Sequence, residues 1–372
     1  MCAPCADPGC PCVTARNHRI SVCSAALGPK RKKDVATPLP SEYLDGNNTR
    51  HTPRHKRSAK GRVDSFKALR MAPRAPVPRG PKTFGKIAET PEQLLARFVS
   101  RGVSVNDSAR ALLYIKRIGN FRLKGYWYHL QDKGTKKVRV PVTFDDIIDR
   151  YEFDRELRTL VFDELSHLEI VLRTTISDAL SLAHGPHWYD DPSAFRSPHV
   201  QQQNSTSFLK DVGKVGGPFV ESYERVYATP NLPPSWGVFE CLTFGTWSQT
   251  YGRIKDGAVR KNISMVFGVE EFPVFASWLH SLSVLRNSTC HHCRLLKAKR
   301  PFSPHEYKKA AIEFPDNRDF FAPATVMAFM LKNAGMASKW KPNLQGLFSR
   351  YPKVPPAELG FPTTWETHPG WV

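Results

Sequence analysis

The sequence lacks any apolar run approaching the roughly 20 residues that a membrane-spanning helix requires. Its densest apolar stretch is only Val326-Met327-Ala328-Phe329-Met330-Leu331, which argues against a transmembrane protein. It also lacks an apolar block behind a basic start, so no secretory leader is expected and the default compartment is the cytoplasm. Common enzyme signatures are missing: there is no GxxxxGK[ST], HExxH or GxSxG, and Gly213-Lys214-Val215-Gly216-Gly217 has the wrong spacing for a phosphate-binding loop. Acidic residues are in deficit. The 372 residues hold 34 Asp/Glu against 54 Lys/Arg, a formal charge of +20, which points to a polyanionic partner, nucleic acid or an anionic membrane surface.

More than half of that excess lies at one end, because Met1 to Gly85 carry 17 Lys/Arg and 5 Asp/Glu. This stretch is poor in aromatics, rich in Pro, and contains Lys30-Arg31-Lys32-Lys33 and Arg54-His55-Lys56-Arg57. Such a composition cannot bury enough apolar surface to offset chain entropy, so residues 1–82 are expected to form a disordered basic tail. The tail holds Cys2, Cys5, Cys10, Cys12 and Cys23, whose tight spacing without a His or a second separated CxxC fits no tetrahedral zinc framework. Met71 precedes the first periodic sequence and is an alternative start to Met1.

Helical periodicity begins at Pro91, with Thr90 as its N-cap and Glu92 in the first turn. A second helix is expected from about Asp107 to Ile118. Tyr126-Trp127-Tyr128-His129-Leu130 and Lys137-Val138-Arg139-Val140, on either side of Gly134, suggest a short hairpin. Phe144 to Tyr151 leads into the strongest helix, where Leu157, Leu160, Val161, Leu165, Leu168, Leu172, Ile176 and Leu180 keep three-and-four spacing. Loops around one helix near Phe208–Tyr227, a helical stretch from Trp236 to Ile254 and an amphipathic helix from Phe272 to Leu285 follow. The expected fold class is mainly α, with four segments: the tail 1–82, a helix-plus-hairpin element 83–150, a helical core 151–310 and a C-terminal helical extension 311–372.

The reactive side chains concentrate in Leu285-Arg286-Asn287-Ser288-Thr289-Cys290-His291-His292-Cys293-Arg294-Leu295. Arg keeps its charge throughout a reaction and can hold a phosphate, whereas His titrates near neutrality and can give or take a proton. Arg286 and His291 are thus sufficient for metal-independent RNA cleavage. On a straight helix positions five apart differ by about 140°, so one copy does not aim both at one point, while two copies about a two-fold axis can. Asn287 shares a face with His291 and can fix its tautomer; His292 should point about 100° from His291. Two plainer alternatives are a pair of surface His without a role and a zinc site at Cys290-x2-Cys293, which regular helical geometry opposes. Glu169 and Arg173 form either a solvated i,i+4 pair or a support for the site. Arg122, Lys124, Tyr126, Trp127, Arg155 and Arg158 are candidate RNA contacts, although aromatics as dense as Tyr126 and Trp127 fit a core as well as a stacking surface.

Five ordered stretches carry a resemblance: Leu123 to Leu130, Tyr151 to Arg158, Leu168 to Arg173, Trp236 with Glu240 through Gly245, and Leu285-Arg286-Asn287 with His291 to Leu295. The sequence resembles the Abi-like (AbiD/AbiF type) abortive-infection family of bacteria, within the HEPN superfamily of helical RNases. That resemblance implies a HEPN-like helical bundle, phage defence by RNA cleavage, a homodimer, and a regulatory noncoding RNA or antitoxin as possible partner. It also implies catalysis by an Arg-x4-His motif, here Arg286, Asn287 and His291, supported by His292, Arg294, Glu169 and Arg173, with no cofactor. Cys290 departs from the small residue more usual there, and Leu296-Lys297 from an aromatic and Asn. A non-catalytic RNA-binding or regulatory module is the alternative.

Overall fold

The computed structural model describes residues 83–372; the tail, its cysteines and the Met1 or Met71 start lie outside the described residues. The first helix, α1 (Pro91–Ser100), opens where expected, because the Thr90 hydroxyl accepts from Gln93 N and the Gln93 side chain returns to Thr90 N. Helix α2 (Ser108–Ile118) is capped by the Asp107 carboxylate and ends at Gly119, at φ +86°. A five-residue α3 (Asn120–Lys124) follows.

The expected hairpin is reduced to a stub, in which Asp132 N donates to Lys137 O and Arg139 N to Leu130 O but neither flank is a strand. Tyr126 and Trp127 are consecutive and both buried, which the alternating faces of a strand cannot provide. Gly125 to Trp127 is instead a turn running into a 3-10 helix at Tyr128–Leu130, and the Asp132 carboxylate accepts from Gly134 N, Thr135 N and the Thr135 hydroxyl. Only one antiparallel bridge, Gln131 to Val138, remains. The described sheet is a parallel pair of two-residue strands, β1 (Val103–Ser104) and β2 (Val142–Thr143), joining Val103 to Val142.

Helix α4 (Phe144–His184) spans 41 residues, about 60 Å at 1.5 Å per residue. A capping box between Thr143 and Asp146 starts it, no Gly or Pro interrupts it, and Gly185 ends it at φ +86°. It runs straight through the expected boundary at residue 150, and residues 84–372 form one compact unit. Leu157, Val161, Leu165, Leu168, Leu172, Ile176 and Leu180 are fully buried, because α4 is packed along its length by later elements. These include α7 (Ser235–Val238), α8 (Phe244–Arg253), α9 (Gly257–Met265), α10 (Phe272–Cys290), α11 (Phe321–Asn333) and α12 (Trp340–Arg350).

Between α4 and α7 the single helix expected near Phe208–Tyr227 is two, α5 (Pro198–Val215) and α6 (Pro218–Val226). Gly216 and Gly217, at φ +55° and +145°, followed by Pro218, break the chain there. The apolar run Val326–Leu331 lies in α11, with Val326, Met327, Met330 and Leu331 in the core and Ala328 and Phe329 half-buried. Among the described residues no helix is long and apolar enough to cross a membrane.

Since Leu168 is completely enclosed at the middle of α4, Leu168→Ala should lower unfolding free energy by about 2–5 kcal/mol through lost burial and the cavity left behind. Denaturant titration measures this; a loss under about 1 kcal/mol would contradict the central packing of α4.

Candidate active site

Helix α10 extends five residues past the expected Leu285 and carries Arg286 and Asn287 on its last turn. His291 is its C-cap and His292 lies in the left-handed region at φ +54°. His292 N donates to Thr289 O at 3.0 Å and Cys293 N to Ser288 O at 2.8 Å, the pair of bonds that closes a Schellman turn. Histidine enters this conformation more readily than a β-branched residue. The turn overturns the expected 100° offset between the two imidazoles, since His292 is no longer helical. Both His side chains are exposed.

Arg286 packs against α4. Its Nε donates to Glu169 Oε2 at 3.3 Å, while Arg173 Nη2 donates to Glu169 Oε1. Glu169 is buried, with a side chain 8% exposed, so two guanidiniums hold one carboxylate and the trio keeps a net positive charge. The terminal nitrogens of Arg286 have no protein hydrogen bond among the described residues. The solvated-pair reading of Glu169 and Arg173 is therefore replaced by a three-membered bridge from α4 to α10. The expected bond between the Asn287 amide and the His291 ring is not formed; His291 instead donates its backbone N–H to Asn287 O at 3.0 Å.

The segment after His292 is fastened by a residue that sequence reasoning missed. Asp154 on α4 is fully buried, and its Oδ1 accepts from Leu295 N at 2.8 Å and Leu296 N at 2.7 Å. Its Oδ2 accepts from the Tyr126 hydroxyl at 2.9 Å and from Arg158 Nη1. Burial, with the Asp154 charge, pushes the Tyr126 phenol far above its usual value and keeps it a donor. A second fastening comes from α3, where Arg122 Nη2 donates to His292 O at 2.7 Å. Arg294 lies over Gly125, where an added Cβ would sit 3.3 Å from its Nη1.

Four expected RNA contacts must be corrected or narrowed. Tyr126 and Trp127 are 1% and 2% exposed, Trp127 stacking on Phe98 at 4.8 Å between centroids, so neither ring offers a face to a base. Arg158 is buried against Asp154, a structural charge rather than an RNA contact. Arg155 is exposed but pairs with Glu152 at 2.5 Å. Arg122 remains at the site, half-buried and bonded to His292 O, and Lys124 is exposed two residues further along α3. Among the described residues no three His, Cys, Asp or Glu side chains are grouped to hold a metal ion, so Cys290, His291, His292 and Cys293 do not converge as the zinc alternative requires.

A family model described as Abi-like protein matches residues 113–297. The chain belongs to the Abi-like family. The Abi-like segment begins in α2 and ends just beyond the Schellman turn, so it contains Arg122, Asp154, Glu169, Arg286 and His291 together. No curated protein and no solved structure matches the chain.

Two outcomes follow from this geometry. Tyr126→Phe removes one donor from a buried carboxylate without changing packing volume, and should cost about 1.5–3 kcal/mol; unchanged stability would show that Asp154 does not depend on that bond. His129, whose two ring nitrogens are buried without hydrogen bonds, is lowered to about 4, first by burial and further by Arg150, Lys297 and Arg294. A depressed folded-state value means that its contribution is complete above the unfolded value near 6.5 and is lost as pH falls towards 4. Thermal midpoints should decline across that window, and His129→Gln should flatten the decline; identical slopes for both proteins would disprove the assignment.

Proposed function

We propose that this Abi-like chain is a cytoplasmic endoribonuclease of the HEPN type that acts in phage defence by abortive infection. The observation that carries the proposal is the end of α10. Arg286 is oriented through Nε by Glu169, with its other nitrogens free of hydrogen bonds among the described residues, and an exposed His291 follows five residues on. A guanidinium held in this way can take two oxygens of a phosphate while staying charged.

In the proposed reaction a ribose 2′-oxygen attacks the adjacent phosphorus and the bond from phosphorus to the 5′-oxygen breaks. His291 takes the 2′-OH proton or delivers a proton to the departing 5′-oxygen, and Arg286 stabilises charge on the phosphoryl oxygens. The products are a 2′,3′-cyclic phosphate and a 5′-OH, and the nucleophile comes from the substrate itself, so the scheme calls for no metal. Asn287, His292 and Arg294 border the reacting pair, Glu169 and Arg173 orient Arg286, and Arg122 and Lys124 supply positive charge for RNA. The helical offset of about 140° between Arg286 and His291 favours a homodimer in which two motifs share one cleft. A regulatory noncoding RNA or an antitoxin is the proposed restraint on activity.

Arg286→Ala and His291→Ala should each lower RNA cleavage in excess chelator by about 10²–10⁴-fold or more while the protein stays folded. Mixing the two inactive variants should restore activity in a heterodimer that keeps one Arg and one His. Soluble His291→Ala protein with full cleavage would sink the assignment, and RNA bound but never cut by the unmodified chain would favour the binding-module alternative.

A further inference from the structure

Of Phe121, Tyr126, Trp127 and Tyr128, the middle pair is buried and Phe121 is the most open, 93% exposed. It sits in α3, beside the candidate site. Its neighbour Arg122 donates to His292 O at 2.7 Å, so α3 lies against the turn that carries His291. The same guanidinium is over the Tyr151 ring, 5.8 Å from its centroid, and leaves the Phe121 ring uncovered. Among the described residues no ring and no cation packs on Phe121. A single exposed apolar side chain is ordinary on a protein surface. The place of this one and the charge around it are not.

From Ser108 to Gln131 the chain has no Asp or Glu, but it has Arg110, Lys116, Arg117, Arg122 and Lys124. Acids from outside the stretch reach two of these, Asp145 pairing with Arg110 and Glu92 with Lys116. Arg117, Arg122 and Lys124 form no ion pair among the described residues. Arg294, which lies over Gly125 just past the end of α3, forms none among them either. The exposed side chains nearest to Phe121 in the chain are Lys116, Arg117 and Lys124, so the ring is not part of an apolar patch in this segment. Cations without counter-charge attract a polyanion, and an open aromatic face among them suits a nucleobase, since every base has a π-face to stack.

We infer that Phe121 is the platform on which one unpaired RNA base stacks next to the cleavage point. The inference deepens the RNase reading, on which it rests for its ligand, by naming single-stranded RNA as the substrate class. In a duplex each base is already stacked on its neighbours, so a paired strand offers no face to Phe121 unless it is opened. A phenyl ring makes no hydrogen bonds to base edges, and the contact therefore selects for strand state rather than for sequence. A base held there restricts the adjoining ribose and phosphate relative to Arg286 and His291, which is a positioning role.

The test is the binding of the full chain to a 2′-O-methyl oligoadenosine, which cannot be cut through its 2′ oxygen. Phe121→Ala should weaken binding about 5–150-fold. The dependence of binding on salt should stay the same, since no phosphate contact is lost. Phe121→Trp should bind at least as tightly as the unmodified chain, and Phe121→Leu, apolar but without a ring, should resemble Phe121→Ala. Inorganic polyphosphate and a fully paired RNA duplex, which present charge without open base faces, should bind the unmodified chain and Phe121→Ala alike. Four outcomes would overturn the inference: equal oligoadenosine affinity for Phe121→Ala and the unmodified chain, an equal loss for polyphosphate, full affinity in Phe121→Leu, as an apolar protein-docking site would give, or no binding by the unmodified chain. If the unmodified chain cuts RNA and Phe121→Ala binds the oligoadenosine as well as it does, the platform fails and the RNase reading stands. If it cuts nothing while Phe121→Ala loses affinity and Phe121→Trp keeps it, the platform stands and the RNase reading fails.

Discussion

Two buried carboxylates on α4 hold the site together. Glu169 receives Arg286 from the last turn of α10, and Asp154, fifteen residues earlier, receives the amides of Leu295 and Leu296. The chain beyond Arg286 therefore runs back along α4 in the opposite direction. Neither carboxylate can be left unpaired in such surroundings without a penalty of several kcal/mol, so the Arg286 end and the Leu295 end of this chain segment are positioned together. Arg158 and the Tyr126 hydroxyl satisfy the rest of Asp154, and Arg173 the rest of Glu169.

Between the two anchors the chain reverses, and the reversal exposes the two histidines. A left-handed His292 at the Schellman turn is less favourable than a glycine there, and Lys297 adds a second left-handed residue five positions later. Hydrogen bonding to Asp154 and the Arg122 bond to His292 O over-determine the loop and keep it in this shape. Buried charges of this type select one arrangement more than they add stability, and the arrangement they select here fixes where His291 stands.

The same α4 has other buried polar attachments: Arg150 donates to both oxygens of Glu358, and Glu164 accepts from the Ser338 hydroxyl at 2.7 Å. These tie the C-terminal elements to the helix, which explains why the boundary drawn between residues 310 and 311 does not separate compact units. A helix with polar side chains buried at intervals along it has a weak amphipathic signature, and its true length is harder to see in sequence than its apolar middle.

The helical class, the cap at Thr90, the second helix near Asp107 to Ile118, the core positions from Leu157 to Leu180 and the reactive Arg286–His291 segment were legible in the sequence, because helical period, capping chemistry and rare reactive residues are local properties. The break between α5 and α6 is written there too, in Gly216-Gly217-Pro218, where two left-handed glycines and a proline outweigh the helical period around them. What only the tertiary structure decided is which polar residues lie inside. Asp154 and Arg158 look like any exposed i,i+4 pair until Leu295 and Leu296 close over them, and Tyr126 and Trp127 look like a stacking surface until α1 and α4 cover their rings. Burial and long-range hydrogen bonding depend on segments more than a hundred residues apart, and no local pattern encodes which distant backbone amide will meet a carboxylate.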